Sequence, residues 1–243
     1  MPKKLYFNNS TEPFEISRSK IELFIQCPRC FYLDRKLGIS RPSLPGFTLN
    51  SAVDVLLKKE FDIHRNNKEA HPLMKSYGID AIPFSHEKME EWRHNFTGVR
   101  FYYKPANFLI FGAVDDIWIN GKKELHVVDY KSTSQADEVS LVGKYKAAYK
   151  RQAEIYQWLL RQNGFLVSDI AYFVYANGRK DLEAFDGKLE FNISIIPYQG
   201  SDSWVVGKLG EILRCLQSVQ IPSSSSDCEY CAYTRQVIDL GLK

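Results

Sequence analysis

Two runs rich in β-branched and aromatic residues, FLIFGAVDDIWI (108–119) and ELHVVDYK (124–131), flank Asn120-Gly121 near the middle of the chain. Runs of that kind around an Asn-Gly pair predict two strands joined as a hairpin. VGKYKAAYKRQAEIYQWLLRQNG (142–164) then predicts a long helix closed by Gly164. IAYFVYAN (170–177) and LEFNISIIPY (189–198) supply two more strands, and SDSWVVGKLGEILRCLQ (201–217) a further helix with Ser201 or Asp202 as cap. Upstream, Val53, Leu56, Leu57 and Phe61 recur at helical spacing in LNSAVDVLLKKEFDIHR (49–65), with Asn50 or Ser51 as cap. Ser17 or Ser19 can cap a helix through IELFIQ (21–26), which Pro28 kinks or ends. RPSLPG (41–46) is a loop, PSSSSD (222–227) is a flexible tether, and residues 64–100 follow no single period. Strands enclosed by helices on both sides in sequence indicate an α/β fold.

Composition narrows the class. With 243 residues, 44% hydrophobic and 14% aromatic, the chain has the material for a packed core. Its net charge of +3, from 32 basic and 29 acidic residues, is too small to imply nucleic acid by itself. No uncharged apolar run approaches the roughly 20 residues of a membrane span. The segment MPKKLYFNNSTEPFEIS lacks the apolar core of a signal peptide, so the expected location is cytoplasmic. Of five cysteines, Cys27 with Cys30 and Cys228 with Cys231 form C-x-x-C pairs, and Cys215 stands apart among apolar helix positions. In a cytosolic chain such spacing points to metal before disulfide.

Candidate chemistry collects on the second strand of the hairpin. Side chains alternate faces along a strand, so Asp129 and Lys131 share one side while His126, Val128 and Tyr130 take the other. Ionised groups on an otherwise core-like strand need a partner or a metal. Taken alone the pair reads equally as a salt-bridged strand end. Asp115 on the partner strand changes this, because two carboxylates and a lysine make a Mg²⁺ site with an adjacent cation. A turn of three or five residues puts Asp115 on the face of Asp129, and five residues, 120–124, put it directly opposite; an even-length turn brings Asp116 there instead. On the long helix Tyr145, Tyr149, Gln152 and Tyr156 form a polar-aromatic stripe. Lys144, Lys146, Lys150 and Arg151 interleave with it, a mixture that suits phosphates and stacked bases as well as a solvated helix face.

G-A-V-D (112–115), V-V-D-Y-K (127–131) and Q-A-E-I-Y (152–156), in that order on strand, strand and helix, resemble the motifs of the PD-(D/E)XK nuclease superfamily in its RecB-like branch. The segment SRSKIELFIQCPRCFYL (17–33) resembles the same branch. The resemblance implies a restriction-endonuclease-like core, a central mixed sheet flanked by helices, with a cysteine-bound metal clasp joining N- and C-terminal segments. It implies one nuclease domain over 1–243, with clasp regions at 17–47 and 222–243 and a catalytic core at 108–200. Asp115 and Asp129 would hold Mg²⁺ or Mn²⁺, helped by the Tyr130 carbonyl. Lys131 would serve the attacking water and the transferring phosphate, and Gln152 and Tyr156 would contact DNA or steady the site. Where the family often carries a histidine ligand on an early helix, S-A-V-D (51–54) places Asp54, an oxygen ligand that suits Mg²⁺.

Two separated C-x-x-C pairs ordinarily suggest tetrahedral Zn²⁺. Resemblance to AddB-type and CRISPR-associated iron-sulfur exonucleases implies instead a [4Fe-4S] cluster on Cys27, Cys30, Cys228 and Cys231, although those relatives divide their cysteines one and three. The expectation is a Mg/Mn-dependent deoxyribonuclease, exonucleolytic, acting on single-stranded DNA or duplex ends. Arg29 and Arg35 beside the first cysteine pair are expected in its DNA-binding surface. The competing reading is a non-catalytic nucleic-acid- or protein-binding subunit of a helicase-nuclease or CRISPR adaptation complex, with a structural metal site.

Overall fold

A computed structural model of the chain describes residues 4–43, 45–143 and 145–241. In chain order these form β1 (Phe14–Ser17), α1 (Arg18–Gln26), α2 (Pro28–Lys36), α3 (Thr48–Asn67), α4 (Pro72–Ser76), β2 (Ala81–Pro83), α5 (Met89–Arg93) and β3 (Val99–Tyr103). There follow β4 (Phe108–Gly112), β5 (Asp116–Asn120), β6 (Leu125–Thr133), α6 (Lys146–Gln162), β7 (Ile170–Gly178), β8 (Phe191–Gln199), α7 (Val205–Gln217) and α8 (Glu229–Asp239). The chain divides into two compact units. One holds the described residues of Met1–Pro45, Arg100–Phe111 and Ser203–Lys243, and the other spans Gly46–Val99 and Gly112–Asp202. No described helix is long and apolar enough to cross a membrane.

The second unit carries a five-stranded sheet in the order β2-β5-β6-β7-β8. All its pairings are antiparallel except β6 with β7, which run parallel. A parallel pair needs a long crossover, and α6 supplies it. Along β6 the alternation of faces sorts the side chains: Val128 and Tyr130 pack with Leu57 and Phe61 of α3, whereas Lys131 turns toward Tyr149 of α6. The sheet is thus mixed and covered by helices, as the fold expectation requires. Phe61 stacks on Trp118 at 5.4 Å between ring centres, both fully buried. Each such side chain contributes about 1.5–3 kcal/mol by leaving water.

The run 108–119 is two strands rather than one, broken at 113–115. Here α5 takes over the backbone bonds that a sheet partner would make: Val114 N–H donates to the Trp92 carbonyl (3.1 Å), and the Arg93 guanidinium donates to the Asp115 carbonyl (3.0 Å). Gly98 (φ +61°) presses on the same place, where an added Cβ would meet the Gly112 carbonyl carbon at 2.5 Å, so only glycine fits.

In the first unit a three-stranded sheet, β1-β4-β3, accompanies α1, α2 and α7. The break at Pro28 starts α2 instead of kinking α1. Lys36 caps the end of α7 by donating to the carbonyls of Leu216 (2.7 Å) and Ser218 (2.6 Å). Two expected caps are displaced. α3 begins at Thr48, ahead of Asn50 and Ser51, and Asp202 accepts from Arg161 (2.8 Å) three residues before α7 begins.

Candidate functional site

The β5–β6 pairing sets the site. Asp116 lies opposite Val128 and Ile119 opposite Leu125, leaving a five-residue turn, 120–124. The same register carried one residue past the ladder puts Asp115, just ahead of β5, across from Asp129. The Asp115 carboxylate accepts the Tyr130 N–H at 3.0 Å, which pins it against β6. Asp129, with 1% of its side chain exposed, pairs with Lys131. Lys131 Nζ also stands 4.8 Å from the centre of the Tyr149 ring, a cation–π contact. Burial works to depress the Lys131 ammonium, but Asp129 and Asp115 outweigh it and raise its pKa, so it stays charged.

Asp54 reaches the same corner from α3. Its partner is Lys58, one turn on, whose Nζ is 2.8 Å from Asp54 Oδ2 and 3.3 Å from Asp115 Oδ1. Burial and then the nearby Asp115 charge push the Asp54 carboxyl above its ordinary range. Burial opposes the charge on Lys58, and the two carboxylates more than offset it. Lys58 went unnoticed in the sequence, though its i+4 spacing from Asp54 is the signal that would have found it.

On α6 the Gln152 amide donates to the Tyr156 hydroxyl (3.3 Å), both side chains being buried. Tyr156 lies close enough to Lys131 to act on its charge. Tyr145, at the outer end of the stripe, is exposed. Lys146 donates to the Tyr175 hydroxyl (3.2 Å), and Lys150 stands over the Tyr198 ring at 5.5 Å. Lys144 lies outside the described residues.

Asp116 faces the other way. Fully buried, it accepts from Arg65, from Arg93 (3.1 Å) and from the Tyr130 hydroxyl (2.7 Å). Asp62 is the second carboxylate of this group, bonded to Arg65 (2.9 Å) and Arg93 (2.8 Å). Adjacent aspartates therefore serve opposite sides, Asp115 at the site and Asp116 in the core.

In the other unit the four paired cysteines converge. Cys27 and Cys231 sulfurs are 3.8 Å apart, Cys30 lies 3.6 Å from both Cys228 and Cys231, and all four fall within 4.8 Å of one another. Burial raises Cys30 and Cys231, and contacts with the neighbouring thiols raise Cys231 further. On Cys27 burial is outweighed by hydrogen bonds, from backbone groups first, and its pKa falls to about 7. Four such sulfurs cannot all ionise together without a cation among them. Arg41, which nothing in the sequence marks, donates to Cys228 Sγ (3.5 Å) and to Gln26 (2.9 Å) and lies over the Tyr230 ring. Among the described residues the cysteines are the one group of three or more potential ligands brought to a common point; Asp54, Asp115 and Asp129 are not. Cys215 sits apart, and burial pushes its thiol up to about 11, as befits a packing residue. Arg35 corrects an expectation. It is buried, donating to the Glu15 carbonyl (3.0 Å) over the Phe14 ring, while Arg29 is exposed.

A family model described as "PD-(D/E)XK nuclease superfamily" matches residues 49–236. The chain belongs to that superfamily. No curated protein matches it. Among solved structures it is similar to one described as "Crystal structure of SSO0001", with 18% identity and a TM-score of 0.47 over 93% of this chain and 87% of that one. Membership in the PD-(D/E)XK superfamily implies a metal-dependent nuclease. The oxygen donors of Asp54, Asp115 and Asp129 fit a hard divalent cation, and the sulfur donors of the cysteines fit zinc or an iron-sulfur centre.

Proposed function

We propose that this chain is a Mg²⁺- or Mn²⁺-dependent deoxyribonuclease of the RecB-like branch, working as an exonuclease on single strands or duplex ends. The observation that carries the reading is the opposition of Asp115 and Asp129 across β5 and β6 with Lys131 beside them. Asp115, Asp129 and the Tyr130 carbonyl would hold the divalent ion, with Asp54 as a further ligand. When bound, the ion supplies Lewis acidity to the phosphate and lowers the pKa of water. Lys131 orients the attacking water and balances charge developing on the phosphate oxygens. Gln152 and Tyr156 hold the α6 side of the site in place against Lys131. Lys146, Lys150 and the tyrosines of α6 offer phosphate and base contacts along the incoming strand.

The sulfur spacing bears on the clasp. A tetrahedral ion with zinc–sulfur bonds of about 2.3 Å separates its sulfurs by about 3.8 Å, whereas a cluster interposes an iron at each thiolate and spreads them wider. Three of the six sulfur pairs lie 3.6–3.8 Å apart and all four sulfurs fall within 4.8 Å of one another, a spacing that supports a single ion, with zinc as the occupant. Metal analysis of anaerobically purified protein decides between zinc and iron.

The catalytic reading is tested with DNA labelled at either end, single- and double-stranded, in Mg²⁺, Mn²⁺ or EDTA. The expected result is metal-dependent cleavage from ends that disappears in Asp129→Ala and Lys131→Ala. DNA binding without cleavage in any metal would favour a binding module, and cleavage that survives both substitutions would overturn the site.

A further inference from the structure

We propose that Lys58 is a resident countercation of the carboxylate site, occupying the place of the divalent ion at Asp115 until that ion arrives. The inference rests on reading Asp115 and Asp129 as ion-binding carboxylates. Its own observation is independent of that reading: one ammonium bridges Asp54 Oδ2 at 2.8 Å and Asp115 Oδ1 at 3.3 Å.

The bridge has a physical cause. Asp54 and Asp115 are each less than one-third exposed, and Asp129 is almost wholly buried. Three carboxylates at one corner repel one another unless cations stand among them. Lys131 serves Asp129 from the adjoining strand position. Lys58 serves the other two, and its aliphatic stem is fixed on α3 by the i+4 step from Asp54. Asp115 Oδ2 is committed to the Tyr130 N–H, so Oδ1 is the oxygen left for a cation. Lys58 holds that oxygen.

A divalent ion that takes Asp115 Oδ1 must displace Lys58 from it. The ammonium then keeps Asp54 Oδ2, its shorter contact, and leaves Asp54 Oδ1 to the ion. Ion binding is thereby an exchange of one cation for another, and the wild-type site binds its metal less tightly than its three carboxylates alone would. Removing the competing charge at a few ångströms should tighten binding about tenfold or more. The metal-free protein should suffer by the same change, because Asp54 and Asp115 then face each other with only the more distant Lys131 to offset their repulsion.

The experiment measures Mn²⁺ binding to the full chain by electron paramagnetic resonance of the free ion, with thermal melting in EDTA and in Mn²⁺ alongside. Lys58→Met keeps the length of the stem and removes the charge. It should bind Mn²⁺ at least about tenfold more tightly than wild type, melt earlier in EDTA, and gain more from Mn²⁺. Lys58→Arg keeps the charge and should bind close to wild type; if Lys58→Met does not fold, Lys58→Gln takes its place. Unchanged or weaker Mn²⁺ binding in the neutral variants overturns the proposal while leaving the nuclease reading intact. Wild-type protein whose Mn²⁺ binding is absent, or unaltered by Asp115→Asn, overturns both.

Discussion

Asp116→Asn tests whether the buried guanidinium group, rather than the ion site, is what the second of the adjacent aspartates supports. The native arrangement sets two carboxylates, Asp62 and Asp116, against two guanidiniums, Arg65 and Arg93, each only 8% exposed. Asparagine keeps the shape but removes the charge from the member that water does not reach, and Asp62 is left facing both arginines. Breaking a buried pair in this way costs about 3–5 kcal/mol. The Tyr130 hydroxyl retains at best a neutral acceptor, which adds to the loss. Against a total stability of about 5–15 kcal/mol, this is a third or more. Asp115→Asn is the control. Its carboxylate is 22% exposed and near Asp54, so its loss should cost less than about 1 kcal/mol. Urea titrations followed by tryptophan fluorescence report on this unit, since Trp92, Trp118 and Trp158 belong to it. Mn²⁺ binding should show the opposite ranking, with Asp115→Asn the damaging change. An Asp116→Asn midpoint equivalent to within about 1 kcal/mol of wild type would refute the reasoning, because a buried charge would then have been lost without consequence.

Other expectations follow from the same geometry. Lys131→Ala should slow cleavage about a hundredfold or more and, by taking a cation from the buried Asp129 carboxylate, lower the melting temperature in EDTA; retained cleavage would remove Lys131 from the mechanism. Asp62 has its pKa lowered because hydrogen bonds from Arg93 and Arg65 outweigh its burial, so its stabilisation is present at neutral pH and lost as pH falls through that depressed value. The stability difference between wild type and Asp62→Asn should therefore close below about pH 4, and a difference that persists in acid would count against it. Alanine at any one of Cys27, Cys30, Cys228 or Cys231 should lower bound metal, measured by elemental analysis, and destabilise the fold, whereas Cys215→Ala should change neither. Full metal content in all four variants would separate the two pairs.

Much of the site was legible in the sequence because strand geometry is strict. Alternation alone placed Asp129 and Lys131 together; the sequence left the turn length open between Asp115 and Asp116, the G-x-x-D resemblance chose Asp115, and the five-residue turn puts that residue opposite Asp129. What escaped detection depends on contacts between distant segments. The break at 113–115 arises from α5 and Gly98, neither of which has a periodic signal. The cation partners of the aspartates, Lys58, Arg65 and Arg93, read locally as charges on helix surfaces. α8 carries no buried residue, and the cysteine at its head, Cys228, lies 3.6 Å from Cys30. Arg35 shows the reverse error, a charge assigned to the surface that packs over Phe14.

The cysteine cluster also sets an order of events during synthesis. Cys30 and Cys228 are 198 positions apart, so the first pair leaves the ribosome long before the second exists. At about 5–20 residues per second that interval is roughly 10–40 seconds. Throughout it Cys27 and Cys30 are bare thiols open to oxidation or to the wrong ion. A nascent chain halted before residue 228 can never close the cluster. A metal ion held by all four cysteines would therefore report that the chain has been made at least as far as Cys231.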